Sequence, residues 1–190
     1  MLTQLPKNSI IGTLGPKFSF HDIVRMEYLE DYQYLYYERF NAIFSALQNG
    51  AIQAALIAIK NSIHGNINTN QKTITKNKLK VLNTFELHIA LHLAVKSPIS
   101  VNQVKNIYAH PIAWNECQHY LQTLDVNHIV SSSNSQALKD LLSDNTANSA
   151  AISGDEAILH YGLHKIEENI QDKASNITTF LLVTQKNNSQ

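Results

Sequence analysis

The chain has 190 residues, of which 44% are hydrophobic and 16% charged, with Lys+Arg and Asp+Glu balanced at 15 each. That length supports one domain or two small lobes around a hydrophobic core, and Lys and Arg scattered among acids exclude the one-faced basic excess of a nucleic-acid binder. The lone Cys117 cannot form an intramolecular bridge, Met1 to Pro6 lacks a basic stretch leading into an apolar run, and no apolar stretch nears the roughly 18 residues of a membrane span, so a soluble cytoplasmic protein with no membrane partner is expected.

Ser9 to Leu14 is apolar and ends at Gly15-Pro16, so it reads as a strand entering a turn. Ile23, Val24, Met26 and Leu29 mark a helix from Asp22, and Phe40, Ile43, Phe44 and Leu47 mark a second that stops at Asn49-Gly50. Tyr34 to Tyr37 is a short strand between them. Ala54 to Ile59 is a continuous apolar run of strand length, followed by a polar loop from Lys60 to Lys78. This alternation favours a parallel sheet with covering helices.

Phe85, Leu87, Ile89, Leu91 and Leu93 alternate with Glu86, His88, Ala90 and His92, which predicts one long strand and a lobe boundary. His88 and His92 on such a strand stand more than ~13 Å apart at ~3.3 Å per residue, too far to share a metal, and neither a metal nor a cofactor is expected. The alternation then restarts: strand Asn106 to Ala109, helix Trp114 to Leu121 holding a buried structural Cys117, strand His128 to Val130, and a Ser131-Ser132-Ser133 capping loop before helix Ser135 to Leu142. Strand Ser149 to Ile152, helix Asp155 to Tyr161 ended by Gly162, strand Thr178 to Thr184 and a frayed tail, Gln185 to Gln190, complete the chain; His160 and His164 read as surface residues. The residues alone therefore predict two small α/β lobes joined by strands, with a cleft for a small ligand between them.

Four collinear segments resemble the prephenate dehydratase family. Leu14-Gly15-Pro16 resembles its opening L-G-P, followed there by G-T-F-S and here by Phe18-Ser19-Phe20-His21. Ile59-Lys60-Asn61-Ser62-Ile63-His64-Gly65 resembles P-I-E-N-S-x-E-G, and Tyr108-Ala109-His110-Pro111 with Glu116-Cys117 resembles S-H-P-Q with a nearby Gln-Cys. Tyr161-Gly162-Leu163 and Asn176-Ile177-Thr178-Thr179-Phe180 resemble Y-G-L and N-x-T-R-F. The resemblance implies a two-lobed fold related to type II periplasmic binding proteins, and the two runs of alternation flanking Phe85 to Leu93 place residues 1–86 plus 178–190 in one lobe and 87–177 in the other. The regulatory domain that often follows in the family has no counterpart after Phe180, so feedback control by phenylalanine through such a domain is not expected.

Prephenate is a dianion that loses carbon dioxide and hydroxide to become phenylpyruvate, which calls for a positive pocket and a proton donor. In the family the Thr of T-R-F is the favoured donor, a position held here by the catalytic candidate Thr178. Asn61, Ser62, Gly65, Ser19, His110, Glu116, Thr179 and Phe180 occupy motif positions expected to bind substrate, and Lys60 is expected to hold a ligand carboxylate. The departures are Lys60 for Glu, Ala109 for Ser, Ile112 for Gln, Thr179 for Arg, Asn70 for Thr and Glu116 for Gln. The implied function is a carbon–oxygen lyase of phenylalanine biosynthesis acting on prephenate or an analogue. The departures leave open a non-aromatising prephenate decarboxylase, or a non-catalytic binder of a small carboxylate; a homodimer is also open.

Overall fold

The elements follow in the order β1 (Ile10–Leu14), α1 (Phe20–Tyr28), β2 (Gln33–Tyr37), α2 (Phe40–Gln48), β3 (Ala54–Asn61), β4 (Gly65–Asn66), α3 (Asn68–Lys76) and β5 (Lys80–His88). They continue as β6 (His92–Val95), β7 (Asn106–Ala109), α4 (Pro111–Glu116), α5 (Gln118–Leu121), β8 (Asn127–Val130), α6 (Asn134–Ser143), β9 (Ser149–Ser153), α7 (Asp155–His160), β10 (His164–Glu167) and β11 (Ile177–Thr184). The computed structural model describes residues 5–186. The chain divides into two units, one made of residues up to His88 together with those from Asn176 on, the other of Ile89–Ser175.

The first unit holds a sheet of order β2-β1-β3-β11-β5, with β4 hydrogen-bonded to β3. β1 runs parallel to β2 and β3, whereas β11 is antiparallel to both β3 and β5, so the sheet is mixed rather than parallel. Period-two alternation sorts its residues onto two faces. Ala54, Leu56, Ala58, Phe85, Phe180 and Leu182 meet Val24 of α1 on one face; Ala55, Ile57 and Val183 meet Ile43, Phe44 and Leu47 of α2 and Ile74 of α3 on the other. Ser19 caps α1 by accepting the Asp22 amide hydrogen at 3.4 Å, and Asp22 adds negative charge to the positive end of the helix dipole.

The second unit has its own sheet, of order β10-β6-β9-β7-β8. β7 is parallel to β8 and β9, while β6 is antiparallel to β9 and β10. Leu91, Leu93, Ile107, Leu138, Leu141 and Ile152 are fully buried in it. The fold class is thus α/β with two sheets.

Several expectations need correction. Phe85 to Leu93 is two strands, because the Leu91 amide donates to Gln171 Oε1 (2.9 Å) and its carbonyl accepts from the Ile170 amide (2.9 Å), which takes this backbone out of the ladder. His88 and His92 accordingly lie in different units. The polar Lys60–Lys78 stretch contains β4 and α3; only Asn70 and Ile74 of that helix are buried, and Thr73 and Thr75 donate back to the carbonyls of Thr69 and Gln71, so no apolar stripe announces it. The Trp114–Leu121 helix is broken at Cys117, whose ψ of 22° interrupts the helical path between α4 and α5. β10 was not foreseen. The tail expected to fray falls at residues 187–190 outside the described residues.

Candidate functional site

The site grows from the end of β3 where it meets the start of β11. Thr178 is the register partner of Asn61 and Thr179 that of Lys60, yet Phe180 pairs with Ala58, so Ile59 is an extra residue on β3. This bulge shifts the alternation of β3 by one. Without it Asn61 would point to the face opposite Ala58; with it, Asn61 shares a face with Thr178, Phe180 and α1. The result is a direct bond from Asn61 Nδ2 to Thr178 Oγ1 at 3.0 Å.

The same nitrogen donates to Asn176 Oδ1 at 2.7 Å, and Asn61 Oδ1 accepts the amide hydrogens of Ile63 (2.8 Å) and His64 (3.0 Å). Those amides are presented by a tight turn that Gly65 closes at φ +79°, a left-handed conformation glycine adopts without a Cβ penalty. Ser62 clamps the junction reciprocally: its amide donates to the Ile177 carbonyl (2.8 Å) and the Ile177 amide donates to its Oγ (2.9 Å). Asn61, Ser62, Gly65 and Thr178 are therefore brought together, as four residues of one strand junction.

The other candidates are placed differently. Phe180, expected to bind substrate, is 1% exposed and packs edge-on against His21 with ring centroids 4.9 Å apart, two residues along β11 from Thr178. Alternation turns Lys60 and Thr179 to the face opposite Thr178, and Thr179 is flanked there by Lys60 on one side and Glu86 on the other. The Ser19 hydroxyl is used twice inside its own loop, donating to the Leu14 carbonyl (3.2 Å) and accepting from Asp22. Asn70 is buried and donates to the Ala58 carbonyl at 2.9 Å.

His110 and Glu116 belong to the second unit. His110 caps α4 through Nδ1, which accepts the Ile112 amide hydrogen at 3.3 Å, and burial holds its pKa below the ordinary histidine value. Glu116 is buried at the end of α4, and Cys117 beside it is fully buried, with its thiol pKa pushed up by burial and by Glu116 and Asp172. Ser133 caps α6 by accepting from Gln136 (3.0 Å), and Ser131 donates to Asp140 (2.5 Å), as a capping loop requires. Among the described residues, no group of three or more His, Cys, Asp and Glu is placed to hold a metal, and no helix is long and apolar enough to cross a membrane.

Two buried polar residues escaped sequence reasoning as site components. Asn176 is fully buried and stands immediately before β11; its signal was the i, i+2 spacing to Thr178, the spacing of residues that share a face of extended chain. Asp22 is 1% exposed and accepts from Arg25 Nε (2.5 Å), the Tyr36 hydroxyl (2.5 Å) and the Phe18 amide (2.8 Å), which holds the Gly15–Ser19 loop over the end of β1. Phe18 in that loop has φ +63°, where the resembling family carries glycine.

Residues 11–188 match the family model described as prephenate dehydratase. A bifunctional chorismate mutase/prephenate dehydratase from Stutzerimonas stutzeri is 31% identical over 143 residues, covering 74% of this chain and 39% of that protein. The chain spans less than half the length of the curated relatives it matches. Among solved structures, prephenate dehydratase from Arthrobacter aurescens in complex with L-Phe superposes with a TM-score of 0.82 at 23% identity, over 93% of this chain and 60% of that one. The methionine-binding protein MetQ superposes with a TM-score of 0.53 at 14% identity, over 96% and 84% of the two chains. Both likenesses are of fold, and they put the chain in the company of periplasmic-binding-protein-like architectures.

Proposed function

We propose a function from one premise: the chain belongs to the prephenate dehydratase family. At that level it is a prephenate dehydratase-like protein of the lyase type. The finer reading is that it converts prephenate to phenylpyruvate, with Thr178 as proton donor. The observation that carries this is the 3.0 Å bond from Asn61 Nδ2 to Thr178 Oγ1. A hydroxyl has two lone pairs and one hydrogen; with a lone pair taken by an amide donor, the hydrogen is left to donate and the oxygen is polarised toward giving it up.

In the reaction the bond between the ring and its carboxylate breaks to release carbon dioxide, and that electron pair enters the ring. The carbon–oxygen bond to the hydroxyl breaks as the ring becomes aromatic. The hydrogen from Thr178 turns the departing hydroxide into water, and solvent restores the threonine hydroxyl. General acid assistance of this kind contributes about 10²- to 10⁴-fold.

The departures from the family pattern weigh less than their number suggests. Lys60 and Thr179 are register partners, so the family's Glu and Arg, carried onto those positions, would face each other across two strands. Their loss is one event on the face away from Thr178. A second reading, retention of a small carboxylate without turnover, is favoured by Ala109, which is fully buried and has no hydroxyl, and by Ile112, which is 49% exposed where the family has an amide. In both readings the partner is a small carboxylate anion and the compartment the cytoplasm.

Mixing the purified protein with prephenate and following both phenylpyruvate and carbon dioxide tests the reading. Phenylpyruvate is expected. Carbon dioxide without it would mean a decarboxylase, and calorimetric binding with neither product would mean a binding protein.

A further inference from the structure

The carboxamide of Asn61 is fully committed. Its oxygen takes two backbone hydrogens from the turn, and its nitrogen gives one hydrogen to Asn176 and one to Thr178. Rotating the amide by half a turn would set its oxygen against Asn176 Oδ1 and its NH2 against the two backbone donors, whereas the Thr178 hydroxyl can pair with either end. Asn176 and the two turn amides therefore decide which end of the amide faces β11.

Within this set Asn176 has a distinct place. It is fully buried and contributes only its oxygen, since its own Nδ2 has no hydrogen-bond partner among the described residues. A buried amide kept for its acceptor alone answers to the group it accepts from. Asn176 touches neither Thr178 Oγ1 nor the turn in any hydrogen bond; it acts on Asn61. The geometry points to Asn176 as a positioning residue for the dehydration proposed above: by holding one hydrogen of Asn61 Nδ2, it aims the other at Thr178 Oγ1, so that the threonine hydrogen is left for the ligand. This rests on the reading of Thr178 as the proton donor.

The chemistry predicts which substitutions matter. Asn176→Leu keeps the volume and removes the acceptor; Asn176→Asp keeps an acceptor oxygen in the same place. The Leu variant should lose about 10- to 100-fold in kcat, the scale of a misplaced catalytic group, with KM changed less than about threefold. The Asp variant should keep most of the activity. In a Thr178→Val background, Asn176→Leu should lower kcat by no more than about twofold further, because the group it positions is gone. A loss of the same size in both backgrounds would overturn the inference and leave Asn176 as ordinary core.

A second readout does not depend on turnover. In side-chain amide NMR of the full chain, the Asn61 Nδ2 hydrogens should shift and exchange with solvent about tenfold faster or more in Asn176→Leu than in the parent. Unchanged Asn61 signals would refute the positioning role. Where the Leu variant does not fold, the Asp variant decides: titrating its carboxyl should move the Asn61 side-chain resonances, and a flat response would refute the role equally. A parent that makes no phenylpyruvate would sink the dehydratase reading, while the NMR comparison still decides whether Asn176 holds Asn61.

Discussion

His21 should make the first unit sensitive to mild acid. It lies in α1 with 9% of its surface exposed, its Nε2 accepts the Ala58 amide hydrogen at 3.4 Å, and its ring lies edge-on to Phe180 and 5.5 Å from Phe40. Burial among these groups lowers its pKa from 6.5 to about 3. Between those values the unfolded chain binds a proton that the folded chain refuses, so stability rises with pH through this window and is lost as pH falls through it. With an unfolded pKa near 6.5, the pull toward the protonated unfolded chain is about 2 kcal/mol at pH 5 and close to nothing at pH 7.

His21→Gln keeps an acceptor near the Nε2 position and removes the titration. Urea unfolding of parent and variant at pH 7 and pH 5 gives four midpoints, and the parent should lose about 2 kcal/mol more than the variant between the two pH values. His92 and His110, whose pKa values are also held low by burial, add an acid dependence of the same sign. It is common to both proteins and cancels in the difference. Identical pH dependence in parent and variant would mean that His21 is protonated as readily folded as unfolded, and would refute the reasoning.

Three further predictions follow from the strand junction. Thr178→Val keeps the branched shape without the hydroxyl and should slow phenylpyruvate formation by about two to four powers of ten, while Thr178→Ser restores much of it; unchanged turnover in the Val variant would remove Thr178 from the mechanism. Lys60→Gln should leave thermal stability within about 0.5 kcal/mol and, because Lys60 lies on the face away from Thr178, should leave prephenate affinity in isothermal titration unchanged; a loss of about 1–3 kcal/mol would refute that placement and put its ammonium on a ligand carboxylate. Gly65→Ala adds a Cβ into open space, so the expected destabilisation of about 1–2 kcal/mol, read from the thermal midpoint, comes from the left-handed backbone alone; a change below about 0.3 kcal/mol would show that the turn relaxes.

Much of the fold was legible because its signals are local. The strand Asn106–Ala109 and the helix Phe40–Gln48 each bury one regular set of apolar side chains, which period reports, and Ala54–Asn61 opens with a short continuous apolar run bounded by polar residues, which length reports. α3 and β10 were not legible. A helix of Asn, Thr, Gln and Lys around a single Ile carries no stripe, and the four residues of β10 become a strand only by pairing with β6. The run from Phe85 to Leu93 shows the limit of alternation: two strands in series carry the same pattern as one, and what separates them is a pair of bonds to residues about 80 positions away.

The candidate site divides along the same line. Sequence by itself determined the residue types, the family resemblance, and the presence of Asn61, Ser62, Gly65 and Thr178 at motif positions, because those are properties of short segments. Only the tertiary structure decided that they meet. Asn61 and Thr178 are 117 positions apart and share a face because β11 enters the sheet beside β3 and because Ile59 bulges there. Side chains on a strand alternate every residue, so one inserted residue decides which side each neighbour joins. That shift sends Asn61 to Thr178 and Lys60 behind the sheet beside Thr179, a distinction that depends on register between distant strands and that no local pattern records.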